Sequence, residues 1–260
     1  MSGLAVMSGA GPGGGEPGPE FHGPGFHGKV PSRGDFVTRR LSRSFLDPWD
    51  DWMQAAIGRS RDQLGETWLP AYLTCPVWRF ALGAGLCGPS VVAGLVMPSV
   101  DRVGRYFPLV LAAPLPGCRN PADLPVSQGG WFDEMEALAL TALEDGFDLD
   151  RFDADLCALG LPSGAPAASA ASPGGWRVAV DPSGPATAYP ALLDGVLRTA
   201  LPRYSLWWTT GSERIEPSLL ACAGLPRIDG YAAFLDGDWE RWGWAAQPAA
   251  ADGRPERATS

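Results

Sequence analysis

The chain has 260 residues, 45% of them hydrophobic, and a formal net charge of −9 at pH 7. This length is sufficient to bury a large core without disulfides, and the acidic balance argues against a general nucleic-acid-binding protein. The five cysteines form no CxxC motif or Cys/His cluster, so we expect reduced thiols and no zinc site. No apolar run approaches the roughly 18 residues of a membrane span, and the N-terminal residues lack the apolar stretch of a secretory signal. We therefore expect a cytoplasmic protein without membrane insertion.

Low-complexity segments divide the chain. Residues 1–24 are mostly Gly, Pro and Ala, a composition that predicts a disordered leader because it supplies too little apolar surface for a core. Residues 163–175, SGAPAASAASPGG, predict a flexible loop, and residues 248–260 a flexible tail. The remaining stretch, 25–247, is predicted to form a single domain that contains this loop.

The first predicted element is a helix over residues 46–64. Asp47 is its predicted N-cap and Pro48 occupies the first helical position. Trp49, Trp52 and neighbouring apolar residues recur at helical spacing and predict one buried face. Three short apolar runs, separated by Gly and Pro, then predict strands over 76–82, 91–97 and 106–112.

The second half of the chain mixes both kinds of element. The pattern predicts helices over 131–143 and 191–201, strands over 176–181 and 206–209, and a helical turn or helix over 230–235. Strands and helices do not alternate strictly. We therefore expect an α/β fold: a layered sandwich with a central, substantially antiparallel sheet flanked by helices.

Several short motifs resemble functional sites, but their sequence context does not support the corresponding chemistry. Residues 83–88 match the dinucleotide fingerprint GxGxxG, but a strand-like run follows where a helix is required, which favours a hairpin connection. His22 and His27 have no carboxylate or thiol spaced to complete a metal site, and no nucleophile motif accompanies them. The acidic run over 133–155 is interpreted as a solvated face and the tryptophans over 207–244 as core residues. We expect no catalytic residues, no metal and no cofactor.

Two polar segments with glycines, 28–40 and 98–108, combine opposite charges in this acidic chain, coupling Asp35 with several arginines and Asp101 with Arg102 and Arg105. We interpret residues 25–43 as a loop that leads into the first helix. Arginine suits bidentate recognition of carboxylate and phosphate. The candidate residues are Lys29, Arg33, Asp35, Arg39, Arg40, Asp101, Arg102 and Arg105. Two interpretations remain open and are compatible: internal ion pairs that hold the loops to the sheet, and a site for an acidic or phosphorylated partner.

The same segments resemble a known family. The strings that carry the resemblance are GFHGKVPSRGDFVTRRL, FLDPWDDWMQ, PVWRFALGAG, GLVMPSVDRVGRYFPLVLAAPL and SLWWTTGS. They are similar to the TagF/ImpM family of type VI secretion system-associated proteins. The resemblance runs from about residue 25 to residue 239 and is densest over 25–115.

This resemblance implies an α/β sandwich and a cytoplasmic protein without known catalytic activity. It further implies a post-translational repressor of type VI secretion that acts by binding the forkhead-associated (Fha) scaffold protein of the apparatus. The alternative, from a different class, is an anion- or phosphate-binding enzyme or ligand-binding protein that uses the Arg/Asp loops. An enzyme would require a placed base or nucleophile with an orienting partner, and the sequence offers little of either.

Overall fold

The structure, a computed structural model, describes residues 23–163, 177–178, 180 and 184–245. Within them, seven strands form one sheet in which every neighbouring pair is antiparallel. The strands are β1 (Gly25–Gly28), β2 (Val37–Arg39), β3 (Trp78–Leu82), β4 (Val91–Met97), β5 (Leu109–Leu115), β6 (Tyr204–Thr209) and β7 (Ser218–Ala223). Their spatial order is β2-β1-β5-β4-β3-β6-β7. The predicted antiparallel central sheet is confirmed.

Helices cover both faces of this sheet. The described residues contain α1 (Arg43–Leu64), α2 (Trp68–Thr74), α3 (Leu124–Ser127), α4 (Gly129–Thr141), α5 (Leu149–Leu159), α6 (Tyr189–Ala200) and α7 (Ala233–Asp236). Short 3₁₀ turns lie at Gly65–Thr67, Pro121–Asp123, Pro185–Ala188 and Ile228–Gly230. None of the helices in these ranges is long and apolar enough to cross a membrane. The arrangement is the layered sandwich that the sequence predicts.

The central strand β4 is buried at all seven positions. Successive side chains of a strand point to opposite faces. Val92 and Val96 accordingly pack in the layer of α1 and α2, whereas Leu95 and Met97 pack in the layer of α4 and α5. Because both faces are covered, the strand reads as an uninterrupted apolar run, which made its limits recognisable in the sequence.

Helix α1 places aromatic rings on the sheet. Trp49 lies 5.1 Å, between ring centroids, from Phe80 of β3, and Trp52 lies 5.4 Å from Trp207 of β6. The indole N–H of Trp52 donates to the carbonyl oxygen of Pro226 at 2.8 Å. The predicted apolar face of this helix is therefore the contact that joins it to the sheet.

The predicted start of α1 is wrong. The helix begins at Arg43, with Ser42 as N-cap, so that Pro48 lies inside it rather than at its first position. Pro48 has no backbone N–H to donate to the preceding turn. Burial of Phe45 and Leu46 against the core holds that additional turn in place.

The acidic run contains a helix that the sequence reading missed. Asp148 caps α5 by accepting hydrogen bonds from the backbone N–H groups of Asp150 and Arg151, both at 2.9 Å. Phe152 and Leu156 of α5 are buried beside β1 and β5. The acidic side chains of α5 are exposed or half-buried. The helix therefore packs on the sheet with one face and is solvated on the other.

The region 25–43, predicted as a loop, contains strands β1 and β2. Helix α2 and strand β7 were also not predicted. The dinucleotide-like glycines form the connection between the antiparallel strands β3 and β4, as predicted. Predicted strand 106–112 is displaced to Leu109–Leu115, because Tyr106 bridges to Val100 and Pro108 interrupts the run.

The other limits shift by a few residues: 76–82 to Trp78–Leu82, 131–143 to Gly129–Thr141, 191–201 to Tyr189–Ala200, 206–209 to Tyr204–Thr209, and 230–235 to Ile228–Gly230 and Ala233–Asp236. The predicted strand 176–181 lies partly outside the described residues, and its described members belong to no strand. The predicted leader (except residues 23–24), the loop beyond residue 163 and the tail also lie outside them.

Replacing Trp52 by Ala is expected to lower the free energy of unfolding by about 3–5 kcal/mol, because truncating a buried aromatic ring leaves a cavity. Trp52→Phe keeps a ring and removes only the donor to Pro226, so it should cost less. Leu73→Ala, at a half-exposed position of α2, is the control. Denaturant unfolding measures all three. An unchanged midpoint for Trp52→Ala would contradict the packing of α1 on the sheet.

Candidate partner-binding site

The two charged segments meet at one end of the sheet. Strand β1 pairs antiparallel with β5, so that Gly28, at the end of β1, lies beside the start of β5. The chain that leaves β1 (residues 29–36) is thereby brought against the turn that precedes β5 (residues 98–108). Two hydrogen bonds join them: the Arg102 N–H donates to the Arg33 carbonyl at 2.9 Å, and the Ser99 hydroxyl to the Lys29 carbonyl at 2.7 Å.

Asp101 is the centre of this junction. Its Oδ2 accepts hydrogen bonds from Lys29 Nζ and, at 2.7 Å, from Arg105 Nε. Its Oδ1 accepts from the backbone N–H groups of Val103 at 3.0 Å and Arg105 at 2.9 Å. Asp101 and Lys29 are both buried. This buried cluster is an internal ion-pair network that fixes the turn onto β1.

Burial alone would raise the pKa of the Asp101 carboxyl. Hydrogen bonds from Lys29 and Arg105, together with the Val103 N–H, outweigh that effect and hold the pKa well below its ordinary value. Asp101 is therefore a carboxylate throughout the physiological range. An ionised, fully hydrogen-bonded carboxylate with two cationic partners is a structural anchor.

Two further candidates also make internal contacts. Arg40 has a left-handed backbone, with φ of 55°. Its guanidinium donates to the Pro24 carbonyl at 2.8 Å and to the Asp153 carboxylate of α5 at 2.5 Å. Arg105 additionally donates to the Gly34 carbonyl. Arg40 and Arg105 thus belong with Lys29 and Asp101 to the set that holds the loops to the sheet.

An aromatic stack supports the loop between β1 and β2. The Phe36 ring, 47% exposed, stacks on His27 at 5.3 Å and meets the edge of Phe107 at 4.9 Å. Beneath it, His27 Nδ1 contacts the Thr38 hydroxyl at 2.7 Å. His27 Nε2 lies 3.1 Å from the Asp50 carboxylate of α1. Sequence reading missed this stack, since nothing in the order of residues links Asp50 to the loop.

The remaining candidates face solvent. Arg33, Asp35, Arg39 and Arg102 line an open depression of about 760 Å³ between the loops. Within the described residues, no carboxylate lies within 4.0 Å of the three arginine side chains, whereas Asp35 lies 3.9 Å from Arg105. We call Arg33, Arg39 and Arg102 the arginine face. The eight candidates therefore divide into an internal set and a surface set of four each.

Comparisons with known proteins identify the class of protein to which this fold belongs, a type VI secretion system-associated class. A family model described as the TagF N-terminal domain, type VI secretion system-associated, matches residues 25–159. The chain belongs to this family. A crystal structure of PA0076 from Pseudomonas aeruginosa PAO1 is similar, with a TM-score of 0.75 and 38% sequence identity over 89% of this chain and 100% of that chain. No curated protein matches the sequence.

Asp101→Asn is expected to lower the thermal midpoint by several degrees at pH 7, since the neutral amide leaves Lys29 buried without its anion. The pKa of Asp101 is lowered in the folded state, so its contribution to stability is present above the unfolded-state pKa of about 3.9 and is lost as pH falls below that value. When the pH is lowered from 7 to below about 4, the thermal midpoint of the variant should therefore fall less than that of the parent.

The matched control for this experiment is Asp35→Asn, which removes the same charge from a fully exposed side chain of the same loop pair. Its midpoint and pH dependence should follow the parent. Thermal unfolding followed by circular dichroism between pH 2 and 8 measures both variants. Equal midpoints for the two variants at pH 7 would contradict the anchoring role of Asp101.

Proposed function

We propose that the protein is a non-catalytic, post-translational repressor of type VI secretion that acts in the cytoplasm by binding the Fha scaffold protein. Membership of a type VI secretion-associated family supports the part of this proposal that concerns type VI secretion. The observation that carries the binding role is the arginine face: three arginines without a carboxylate partner lie in one depression beside exposed apolar side chains. That combination is typical of protein interfaces, in which Arg and aromatic residues are enriched.

The chemistry of the described nucleophile candidates supports a non-catalytic role. Burial raises the pKa of the Cys75, Cys87 and Cys222 thiols to about 12, so these cysteines are thiols at neutral pH. His27 stacks beneath Phe36 with its ring nitrogens directed at Thr38 and Asp50. None of these groups is placed as an activated nucleophile.

The loop pair is well suited to bind without a large ordering cost. The Asp101 cluster and the Arg102–Arg33 backbone hydrogen bond hold both loops in one arrangement before any partner arrives. Phe36 and Val103, the latter 66% exposed, lie in the same loops as the arginine face. A surface that is already ordered loses less conformational entropy on association.

A second candidate function is a ligand-binding protein or enzyme that holds a small anion in the depression. The three arginines favour it. The carboxylates that line the depression are Asp35 and Asp150, both exposed. A thermal-shift screen against phosphates and nucleotides distinguishes this function, because a ligand at 100 times its dissociation constant adds about 2.7 kcal/mol of stability.

Overproduction of this protein in a bacterium with a matching secretion apparatus is expected to abolish effector secretion and leave the abundance of the structural proteins unchanged. A binding repressor acts after translation, which is the reason for the second half of the expectation. Immunoblots of culture medium and of cell lysate measure the two quantities. Undiminished effector in the medium would contradict the proposed function.

Arg33→Glu combined with Arg39→Glu is expected to weaken binding to purified Fha protein and to leave the thermal midpoint unchanged, because neither side chain makes an internal ion pair in the described structure. Charges at the rim of an interface mainly set the association rate and its salt dependence, so the loss should be larger at low salt. Surface plasmon resonance at two salt concentrations measures it.

Arg43→Glu is the matched control. Arg43 lies in the same basic segment, its side chain is 88% exposed, and it does not line the depression. Its affinity for Fha should remain close to that of the parent. A normally folded double variant with undiminished affinity would remove the arginine face from the interface.

A further inference from the structure

We propose that the depression between the loops is a phosphate-binding site, in which Arg33, Arg39 and Arg102 hold a phosphorylated side chain of a protein partner. The identity of the partner as an Fha protein rests on the proposed function. The site itself rests on the arrangement of the arginine face alone.

The arginine face is a local concentration of positive charge in an acidic chain. The chain carries 29 acidic against 20 basic residues. Seven described arginines lie within 4.0 Å of a carboxylate: Arg40, Arg43, Arg59, Arg79, Arg105, Arg151 and Arg198. The arginine face brings three of the remaining described arginines into one depression. A depression lined by several cationic side chains attracts an external anion.

The acids that line the depression (Asp35 and Asp150) and Asp148 beside it lie more than 4.0 Å from the three arginine side chains. Asp148 accepts the backbone N–H groups at the start of α5, and those hydrogen bonds lower its pKa, with a smaller Coulombic contribution from Arg33. Its carboxylate thus serves as the cap of α5. Asp35 is fully exposed and reaches only Arg105, at 3.9 Å. Asp150 is exposed at the start of α5.

The three arginines are carried by a preorganised backbone. Arg39 belongs to β2 and is paired in register with Phe26 of β1. Arg33 lies in a tight turn, where its N–H donates to the Val30 carbonyl at 3.1 Å. The Arg102 guanidinium lies over Gly34, since a Cβ atom built on that glycine would be 3.7 Å from Arg102 Nη2. The donors therefore approach from two loops and one strand.

This set of donors fits a phosphate monoester better than a carboxylate. A phosphomonoester carries close to two negative charges at pH 7 and three strong acceptor oxygens. The planar fork of a guanidinium binds two of these oxygens at once. A carboxylate offers one charge and two oxygens, which a single arginine satisfies. Three separate guanidinium groups around one depression thus match a dianion.

The surroundings indicate that the phosphate belongs to a peptide segment. The depression is open to solvent rather than enclosed, and its volume is about 760 Å³. Phe36 and Val103 present exposed apolar surface in the two loops that border it. A segment with a phosphorylated side chain next to an apolar side chain would contact both features.

The test is a titration of the full chain, labelled with ¹⁵N, with inorganic phosphate at pH 8, followed through the Nε–Hε resonances of the arginine side chains. Sodium acetate and sodium chloride at matched ionic strength are the comparison anions. We expect saturable shifts of Arg33, Arg39 and Arg102 with phosphate and at most weak shifts with acetate. Equal effects of the three anions, or equal shifts at Arg43, would overturn the proposal.

Variants make the test independent of resonance assignment. Arg33→Gln and Arg102→Gln should each weaken phosphate binding by about tenfold, as expected for the loss of a charge-assisted hydrogen-bond donor. Arg43→Gln should leave it unchanged. Thermal midpoints equal to that of the parent establish that the variants are folded. Undiminished phosphate affinity in both folded variants would overturn the proposal.

Failure of this inference is distinguishable from failure of the proposed function. If phosphate binds and competes with Fha protein for the chain, both stand. If phosphate saturates the site and Fha affinity is unchanged by phosphate and by Arg33→Glu/Arg39→Glu, the phosphate site stands and the assigned partner contact fails. If the double variant loses Fha affinity but phosphate does not bind, the partner contact stands and this inference is overturned.

Discussion

The end of the molecule that carries the candidate site depends on one interaction, the buried carboxylate of Asp101 with its cationic partners. A carboxylate removed from water is tolerated only when its hydrogen bonds and its charge are satisfied. Lys29 and Arg105 supply the charge, and backbone N–H groups of its own turn supply the remaining hydrogen bonds. Lys29 and Asp101 are 72 positions apart in the chain, so this cluster also specifies which loop lies against which.

Gly28 permits this contact. Its φ of 142° lies outside the usual range of other residues, and a Cβ atom here would be 2.2 Å from the Pro108 carbonyl oxygen. The chain can therefore leave β1 in close contact with the approach to β5, which brings Lys29 to Asp101. The buried ion cluster and the glycine at the end of β1 are two parts of one constraint.

The sequence predicted the parts of the fold that depend on local pattern. The apolar face of α1 and the limits of β4 follow from helical spacing and from a continuous apolar run. Strand β1 was missed because its four residues are flanked by Gly and Pro and its stability comes from pairing with β5, about 85 residues later in the chain. Helix α5 was obscured by its acidic residues, although Asp148 as a cap and buried residues at helical spacing were recognisable signals.

For the candidate site, the residue types were predicted and their pairing only in part. The sequence coupled Asp101 with Arg102 and Arg105; the folded arrangement confirms Arg105, adds Lys29, and leaves the Arg102 side chain without a carboxylate within 4.0 Å among the described residues. The partner of Arg40, Asp153, came from the missed helix α5. The contribution of Asp50 in α1 has no signal in the sequence, because the stack of Phe36 on His27 forms only when β1, β2 and α1 are assembled.

That stack also connects the surface of the loop to the centre of the fold. Phe36 is half-exposed beside the arginine face, His27 beneath it is buried, and Asp50 belongs to the helix whose Trp49 and Trp52 lie on the sheet. The internal ion pairs neutralise the charges that folding buries, whereas no side chain of the arginine face lies within 4.0 Å of a carboxylate in the described residues. The members of the charged segments that stabilise the fold therefore differ from those in the proposed partner contact, and that contact would leave the internal ion pairs intact.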